Sequence, residues 1–266
     1  MAYDFNGKRV LVTGGSSGIG AALAERLAAQ GAVVGICARR EAELAATLDR
    51  LRAHSPSSQM WTCDMAVPVE VDALADGVLR EFGGVDVLVN NAGIPKRKHV
   101  TVLTPAIVEE VMRINYLGPI QLTLALLPSL IENRGRVVSV SSIAAPLSSP
   151  GEAAYDASKA ALASFSEAMA VDLFHDGVKV MVVYPGVVDT PLFSIPDNDP
   201  LPEGTVEAIP VSEMVDAIVD GIHNDAAEVY CPPFFKDIAV GKMQNVAGFI
   251  SGAAEWLKAQ KPSPAG

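Results

Sequence analysis

Continuous apolar, β-branched runs alternate along this chain with stretches whose apolar residues recur at helical spacing, and no other feature narrows the fold as much. Strands are expected at Arg9–Val12, Ala32–Cys37, Gln59–Cys63, Val85–Val89, Gly135–Val140, Val178–Val183 and Glu228–Cys231. Runs such as "VLV", "VDVLV", "RVVSV" and "VKVMVV" do not alternate apolar with polar residues. A strand reads that way when both faces of a parallel sheet are covered. Helices are expected over Ile19–Gln30, Glu41–Ala53, Pro68–Phe82, Pro105–Glu132, Glu152–His175 and Ser212–His223. Gly31 reads as a helix stop, and Thr104 followed by Pro105 as an N-cap with proline in the first turn. Strand and helix in this alternation make βαβ units. The expected fold is therefore α/β, a doubly wound parallel sheet of about seven strands with helices on both faces.

The chain has 266 residues, half of them apolar, which suffices for one domain with a large core. No Ser/Gly-rich linker, charge block, repeat or low-complexity tract divides it. One domain over residues 1–258 is expected, with 259–266 as a disordered tail. A net charge of −11 makes nucleic acid and anionic membranes poor partners. The opening "MAYDFNGKRVLV" lacks a charged-then-apolar signal pattern. No apolar run approaches the roughly 20 residues that span a bilayer. A cytoplasmic protein without an integral membrane segment is expected. Cys37, Cys63 and Cys231 fall at or near strand ends without a C-x-x-C and read as buried, reduced thiols. His54, His99, His175 and His223 are scattered without ligand spacing, so no metal site is expected.

Ligands of a doubly wound sheet bind beyond the carboxyl ends of its strands. The first strand runs into "TGGSSGIG", Thr13–Gly20. Gly14, Gly18 and Gly20 permit a tight turn, close approach of backbone to a pyrophosphate, and tight packing of helix on strand. The next helix then turns its first N–H groups toward the phosphates. Ser16, Ser17 and Ile19 belong to this Rossmann-like loop. The second strand ends "CARRE". A cofactor with a free ribose 2′-hydroxyl calls for an acid near Ala38, and none is there. Arg39 and Arg40 follow instead, guanidinium forks that suit a 2′-phosphate. That favours NADP(H) over NAD(H), with Arg39 the first candidate; the other reading makes both arginines solvated residues of a helix start. Asp64, with Met65 beside it, ends the third strand and is placed either to accept from an adenine amino group or to cap the following turn. The fourth strand ends "NNAG". Asn90 and Asn91 are costly to bury unpaired and must bond neighbouring backbone or the cofactor, with Ala92 and Gly93 adjacent. The fifth strand delivers Ser139, Ser141 and Ser142 to the crevice mouth. The helix after it carries "YDASK", which sets Tyr155 and Lys159 one turn apart on one face. The sixth strand, ending "YPGVVDTPLF", brings Pro185, Gly186, Val188 and Thr190 to the same edge.

"TGGSSGIG", "NNAG", a serine ahead of "Y-x-x-x-K", and "PG…T" stand in the order and spacing of the short-chain dehydrogenases/reductases, and the chain resembles that family from about Lys8 to Pro232. The resemblance implies that Tyr155 is the catalytic acid/base and Lys159 its partner. It implies that Ser142, 13 residues before Tyr155, is the family's serine. Asn115, in "RINYLG", matches the helix asparagine that holds a water in a proton relay to the lysine. Thr190 resembles the residue that binds the nicotinamide carboxamide. The chemistry agrees. Hydride transfer to a carbonyl builds an alkoxide that needs a proton, and a free tyrosine, titrating at about 10, is too weak an acid. Lys159, together with the positive nicotinamide of the oxidised cofactor, is expected to bring that value down, and Lys159 also to grip the nicotinamide ribose. Ser142 is expected to donate to the substrate oxygen.

The expected activity is NADP(H)-dependent interconversion of a ketone or aldehyde with an alcohol. The expected substrate is an apolar small molecule, steroid-like or fatty, and the enzyme a homodimer or homotetramer. A non-catalytic, NADP(H)-binding redox sensor is one alternative, although such proteins usually lack the Tyr or the Lys. A 3-oxoacyl thioester reductase is another, disfavoured because the chain lacks that subgroup's "DGG"-like ending. Val187–Pro210 is long and Pro-rich and reads as a substrate lid, with Leu192, Phe193 and Ile195 walling an apolar pocket. "KRK" at 96–98 reads as a solvated loop face or an anion contact. Ile238, Met243, Val246, Ile250, Ala254 and Leu257 recur at helical spacing, so one amphipathic helix is expected over 237–258. It packs on its own domain, on a second copy or on a membrane surface.

Overall fold

The computed structural model describes residues 2–194, 196–201 and 206–259; Ile195, the Phe193 side chain and residues 260–266 of the expected tail lie outside the described set. Seven parallel strands form one sheet in the order β3-β2-β1-β4-β5-β6-β7. They are β1 (Arg9–Thr13), β2 (Val33–Ala38), β3 (Gln59–Thr62), β4 (Val87–Asn90), β5 (Arg136–Val140), β6 (Lys179–Pro185) and β7 (Glu228–Cys231). All seven expected strands form, with ends shifted by a residue or two.

The unbroken apolar runs exist because each strand feeds two cores. Val10, Val12, Val34, Ile36, Val87 and Val89 enter one core with Leu23 and Leu27 of α1 (Gly18–Ala29), Leu44 and Leu48 of α2 (Glu41–Arg52) and Met214 and Ile218 of α8 (Val211–His223). Their neighbours Leu11, Leu88 and Val137 point the other way, onto Leu74 of α3 (Pro68–Gly77), Leu122, Leu126 and Leu130 of α5 (Gly118–Glu132) and Met169 of α7 (Ala153–Asp172). Side chains alternate faces along a strand, so both alternating sets must be apolar. Each fully buried Leu or Val contributes about 1.5–3 kcal/mol.

The long helix expected over 105–132 is built as α4 (Pro105–Met112), a π-helical turn (Arg113–Leu117) and α5. Thr104 caps α4 by accepting from the Ile107 N–H at 3.3 Å. By length and composition the stretch could cross a membrane, with a mean hydropathy of 1.4 in its most apolar window. In this fold Leu122, Leu126 and Leu130 spend that apolar face on the sheet. A short α6 (Ala144–Leu147) precedes α7.

The C-terminal extension differs from the single helix expected. It is two helices, α9 (Phe235–Gln244) and α10 (Val246–Ala259), broken at Asn245, whose backbone is not helical (φ −147°, ψ 74°). The Asn245 Oδ1 accepts from the Gly248 N–H at 2.9 Å, the bond of an asparagine N-cap. Ala259, placed in the tail by sequence, is the last residue of α10.

Candidate active site

Between β1 and β4 the strand order changes direction, and there the carboxyl ends of β1, β2, β4, β5 and β6 open into a crevice of about 640 Å³. The expected catalytic residues Ser142, Tyr155 and Lys159 and all the expected cofactor contacts from Gly14 to Thr190 line it, with Leu192; Asn115 does not.

At one end lies the glycine loop. Gly14 (φ +71°) and Gly18 (φ +57°) take left-handed conformations that other residues adopt at a cost. A Cβ at Gly20 would collide with the Gly14 carbonyl and the Asn91 amide, so helix and loop close only on glycine here. Ser17 holds the N-cap position of α1 but its side chain caps nothing. Its Oγ instead accepts from Arg40 Nη2 at 2.8 Å, and Ser16 Oγ accepts from the same nitrogen at 3.2 Å. The first turn of α1 thus has no side-chain cap, with a guanidinium beside it. Arg39 is more than half exposed and stands 3.9 Å from Asp64. The Asp64 Oδ1 accepts from the Ala66 N–H at 2.9 Å, which is the turn-capping alternative. Asn91 is tied to backbone: its Nδ2 donates to the Thr13 carbonyl at 2.8 Å, and its N–H to Thr13 Oγ1 at 2.9 Å. Asn90 donates to Thr123 Oγ1 at 2.9 Å, while its Oδ1 is buried without a partner.

At the other end, Ser142, Tyr155 and Lys159 meet. The Ser142 Oγ accepts from the Ala144 N–H at 3.1 Å and lines the crevice with Tyr155. Burial pushes the Tyr155 phenol up; the Ser142 hydroxyl and Arg97 draw it down, while Glu152 and Asp156 push it further up. Lys159 is not among the groups that act on the phenol here. Its Nζ donates to the Val140 carbonyl at 2.8 Å and stands 5.8 Å from the Tyr155 ring centre. Burial pulls the Lys159 ammonium down to about 8. Asn115 lies behind the crevice in the π-helical turn, a geometry common at functional sites. Its Oδ1 accepts from the Ile94 N–H at 2.8 Å; its Nδ2 donates to the Ile94 carbonyl at 2.9 Å and to Ser158 Oγ at 3.0 Å. It thereby fastens the loop after β4 to α7. A Cβ on Gly93 would come within 3.2 Å of both Asn115 Oδ1 and Lys159 Nζ, so the two groups flank the same glycine.

From β6 the chain sends Pro185, Gly186 and Val188 along the crevice and sets Thr190 across the glycine loop, where a Cβ on Gly18 would meet it at 3.2 Å. The lid segment is pinched at its base, where Ile209 donates to the Val187 carbonyl and Asp189 to the Ile209 carbonyl, each at 2.9 Å. Its tip is latched to "KRK". Asp197 pairs with Lys96 at 3.2 Å and Lys98 at 2.9 Å. Arg97 donates from its N–H to Asn198 Oδ1 at 2.7 Å and from Nε to the Asp199 carbonyl at 2.8 Å. The solvated-loop expectation therefore fails for Arg97, which is 5% exposed and lines the crevice, with Asn198 and Asp199 bonded to it. Sequence reading also missed Glu152, the N-cap residue of α7, and Trp256 of α10, both on the crevice wall. Glu152 carried a readable signal, three residues before Tyr155. Trp256 carried none, because its placement depends on the break at Asn245.

Residues 8–199 match the family model described as short chain dehydrogenase. The chain is 38% identical over 194 residues to an uncharacterized oxidoreductase of Mycobacterium bovis, covering 71% of this chain and 57% of that relative's length. It is 34% identical over 243 residues to mouse dehydrogenase/reductase SDR family member 7B, covering 87% of this chain and 75% of the mouse protein. A short-chain dehydrogenase/reductase from Burkholderia phymatum, solved in complex with NAD, has a TM-score of 0.83 at 23% identity over 99% of both chains. L-Sorbose reductase from Gluconobacter frateurii, complexed with NADPH and L-sorbose, has a TM-score of 0.76 at 24% identity, covering 86% of this chain and 97% of that one. These two structures speak for the fold. The sequence match carries the lineage: the chain belongs to the short-chain dehydrogenase/reductase family.

Proposed function

We propose that this protein is an NADP(H)-dependent oxidoreductase that interconverts a ketone or aldehyde with an alcohol on an apolar small molecule. One observation carries the reading: Ser142, Tyr155 and Lys159 converge in the same crevice as an uncapped, glycine-built helix N-terminus. The residues fit a nicotinamide dinucleotide. The glycines let the loop turn tightly and close on α1 and Asn91, and the first turn of α1, without a side-chain cap, suits the charge of a pyrophosphate. Arg40, held over the loop by Ser16 and Ser17 and paired with Glu43 at 3.2 Å, and Arg39, 3.9 Å from Asp64, both line the crevice and support a 2′-phosphate and hence NADP(H). When bound, such a cofactor supplies or accepts the hydride.

The chain's own residues supply the rest. Tyr155 gives its hydroxyl proton to the substrate oxygen as charge builds there, and takes it back in the reverse direction. Ser142, in the same crevice as Tyr155, steadies that oxygen. Lys159 and Asn115 flank Gly93 on the floor and tie proton movement to the loop after β4. Exposed Leu124 on α5 and Val171 on α7, with Phe174 just beyond, support assembly with further copies. The test is Tyr155→Phe. Turnover of an NADPH-reducible ketone falls about 10²–10⁴-fold, while NADPH binding, read by fluorescence quenching, survives. A variant that keeps its turnover refutes the assignment.

A further inference from the structure

A second cavity, of about 330 Å³, lies along α10, walled by Leu147 and Pro150 on one side and by Val246, Phe249, Ala254 and Leu257 on the other. It adjoins the active-site crevice. Pro150 lines both, and Trp256 on the crevice wall is followed along α10 by Leu257 on the cavity wall. The border between the two is lightly built. Pro150 stands in a turn between Ser148 (φ +59°) and Gly151 (φ +76°). No residue of α10 is buried, and the helix starts from the break at Asn245. Lys242 is the one charged side chain among the described residues that line the cavity. Its ammonium is engaged with the wall, donating to the Pro146 carbonyl at 2.6 Å and to Ser148 Oγ at 2.8 Å, which ties α9 to the loop that carries Pro150.

We propose that this cavity receives the tail of the substrate, so that the reacting carbonyl or alcohol sits near one end of a long, flexible alkyl chain. The inference rests on the oxidoreductase reading and narrows its substrate class from apolar molecules in general to fatty ones. Four considerations select that occupant. The lining is apolar, so a polar ligand end would leave water there for too few partners, whereas an alkyl chain gains by leaving water. The cavity continues from the reacting site, so a ligand anchored at Tyr155 reaches it by extending past Pro150. A straight alkyl chain is the slimmest apolar group that can run past that border, and it bends by rotating about its single bonds; a fused-ring carbonyl does neither. Finally, residues 260–266, QKPSPAG, carry no large apolar side chain to fill the cavity instead.

The test compares kcat/KM for 2-butanone and 2-dodecanone, methyl ketones that differ in chain length alone, using the full chain and NADPH. Each methylene that enters the cavity should raise kcat/KM about fourfold, so the long ketone should lead by at least about a hundredfold. Ala254→Trp, which fills the cavity from α10, should cut that lead at least about tenfold. Leu257→Asn, which makes the wall polar without adding bulk, should cut it too, and decides alone if circular dichroism shows Ala254→Trp misfolded. Ala247→Trp, on the exposed side of α10 and outside the cavity, should keep the lead. Equal values for the two ketones overturn the proposal, as does a lead that survives in a folded cavity variant. A lead lost in Ala247→Trp also overturns it, because bulk anywhere on α10 then suffices. Sedimentation velocity on the same proteins covers the other occupant: a wild-type dimer that Ala254→Trp splits puts a second copy on the cavity and overturns the proposal. No turnover of either ketone with NADPH or NADH overturns the oxidoreductase reading and this inference with it, whereas turnover without a chain-length effect overturns this inference alone.

Discussion

Replacing Asp156 with asparagine should stabilise the fold, and by more as the pH rises. Asp156 follows Tyr155 on α7, is 8% exposed, and its Oδ1 has no hydrogen-bond partner. Burial, and then the charge of Glu152, push its carboxyl up to about 8, against Lys242 and a hydrogen bond from the Ser149 backbone. In an unfolded chain an aspartate titrates at about 3.9. Between those two values the folded state holds a proton that the unfolded state has lost. The contribution of Asp156 to stability is therefore complete below about pH 4 and is lost as the pH climbs toward 8. One pH unit is worth about 1.4 kcal/mol. Over the two units from pH 5 to pH 7 the wild type loses at most about 3 kcal/mol through this group, and less where water reaches it. Asp156→Asn keeps the shape and removes the titration. Urea unfolding at pH 5, 6, 7 and 8 should show the variant pulling ahead by about 1–3 kcal/mol across that window, or roughly 2–4 °C of melting temperature per kcal/mol. Wild-type and variant stabilities that run parallel in pH would refute the reasoning, because a carboxyl that ionises freely in the fold leaves no such divergence.

Two further outcomes follow from the crevice. Arg40→Glu should reverse the cofactor preference, weakening NADPH at least about tenfold while sparing NADH, since it removes the cation that Ser16 and Ser17 hold over the loop; fluorescence titration with both dinucleotides reads it. Asp197→Asn should unlatch the lid from Lys96 and Lys98 and raise KM several-fold with little change in kcat. Exposed pairs contribute about 0.2–1 kcal/mol each and are screened by salt, so wild-type KM should climb with NaCl and the variant's should not.

The parts legible in the sequence are those fixed by neighbours along the chain. The strands announced themselves because residues such as Leu11 and Val12 each need an apolar partner on opposite faces. The glycine loop was legible because its constraints are steric and local: no side chain fits at Gly20. Arg97 was misread because its burial is set by Asn198 and Asp199, about a hundred residues later. No local pattern records that a lid will fold onto a basic triplet. The two-helix ending was missed although Asn245 is a capping residue, because Met243 and Val246 kept the helical spacing across the break. For Lys159, sequence placed the residue but not its bond, which depends on where the Val140 carbonyl ends β5.

The surroundings of Tyr155 bear on the direction in which the site works most readily. Glu152 and Asp156, on either side of it along α7, add their charge to the effect of burial, and all three hold the phenol protonated. Lys159, the cation expected to oppose them, is itself pulled down to about 8 and is turned to the Val140 carbonyl. Only the Ser142 hydroxyl and Arg97 pull the other way. A protonated phenol is the form that reduces a carbonyl, whereas oxidising an alcohol needs the tyrosinate. Reduction rates should therefore stay level from pH 6 to pH 8. Oxidation of the matching alcohol should climb toward tenfold per pH unit up to about pH 9, as the small tyrosinate fraction grows. Initial rates in both directions across that range read the slopes. An oxidation rate that levels off below pH 8 would mean that bound cofactor reverses this electrostatic balance, with Lys159 leaving Val140 to face the phenol. Glu152→Gln then tells the two apart. It moves the oxidation limb to lower pH if the carboxylates set Tyr155, and leaves it in place if Lys159 does.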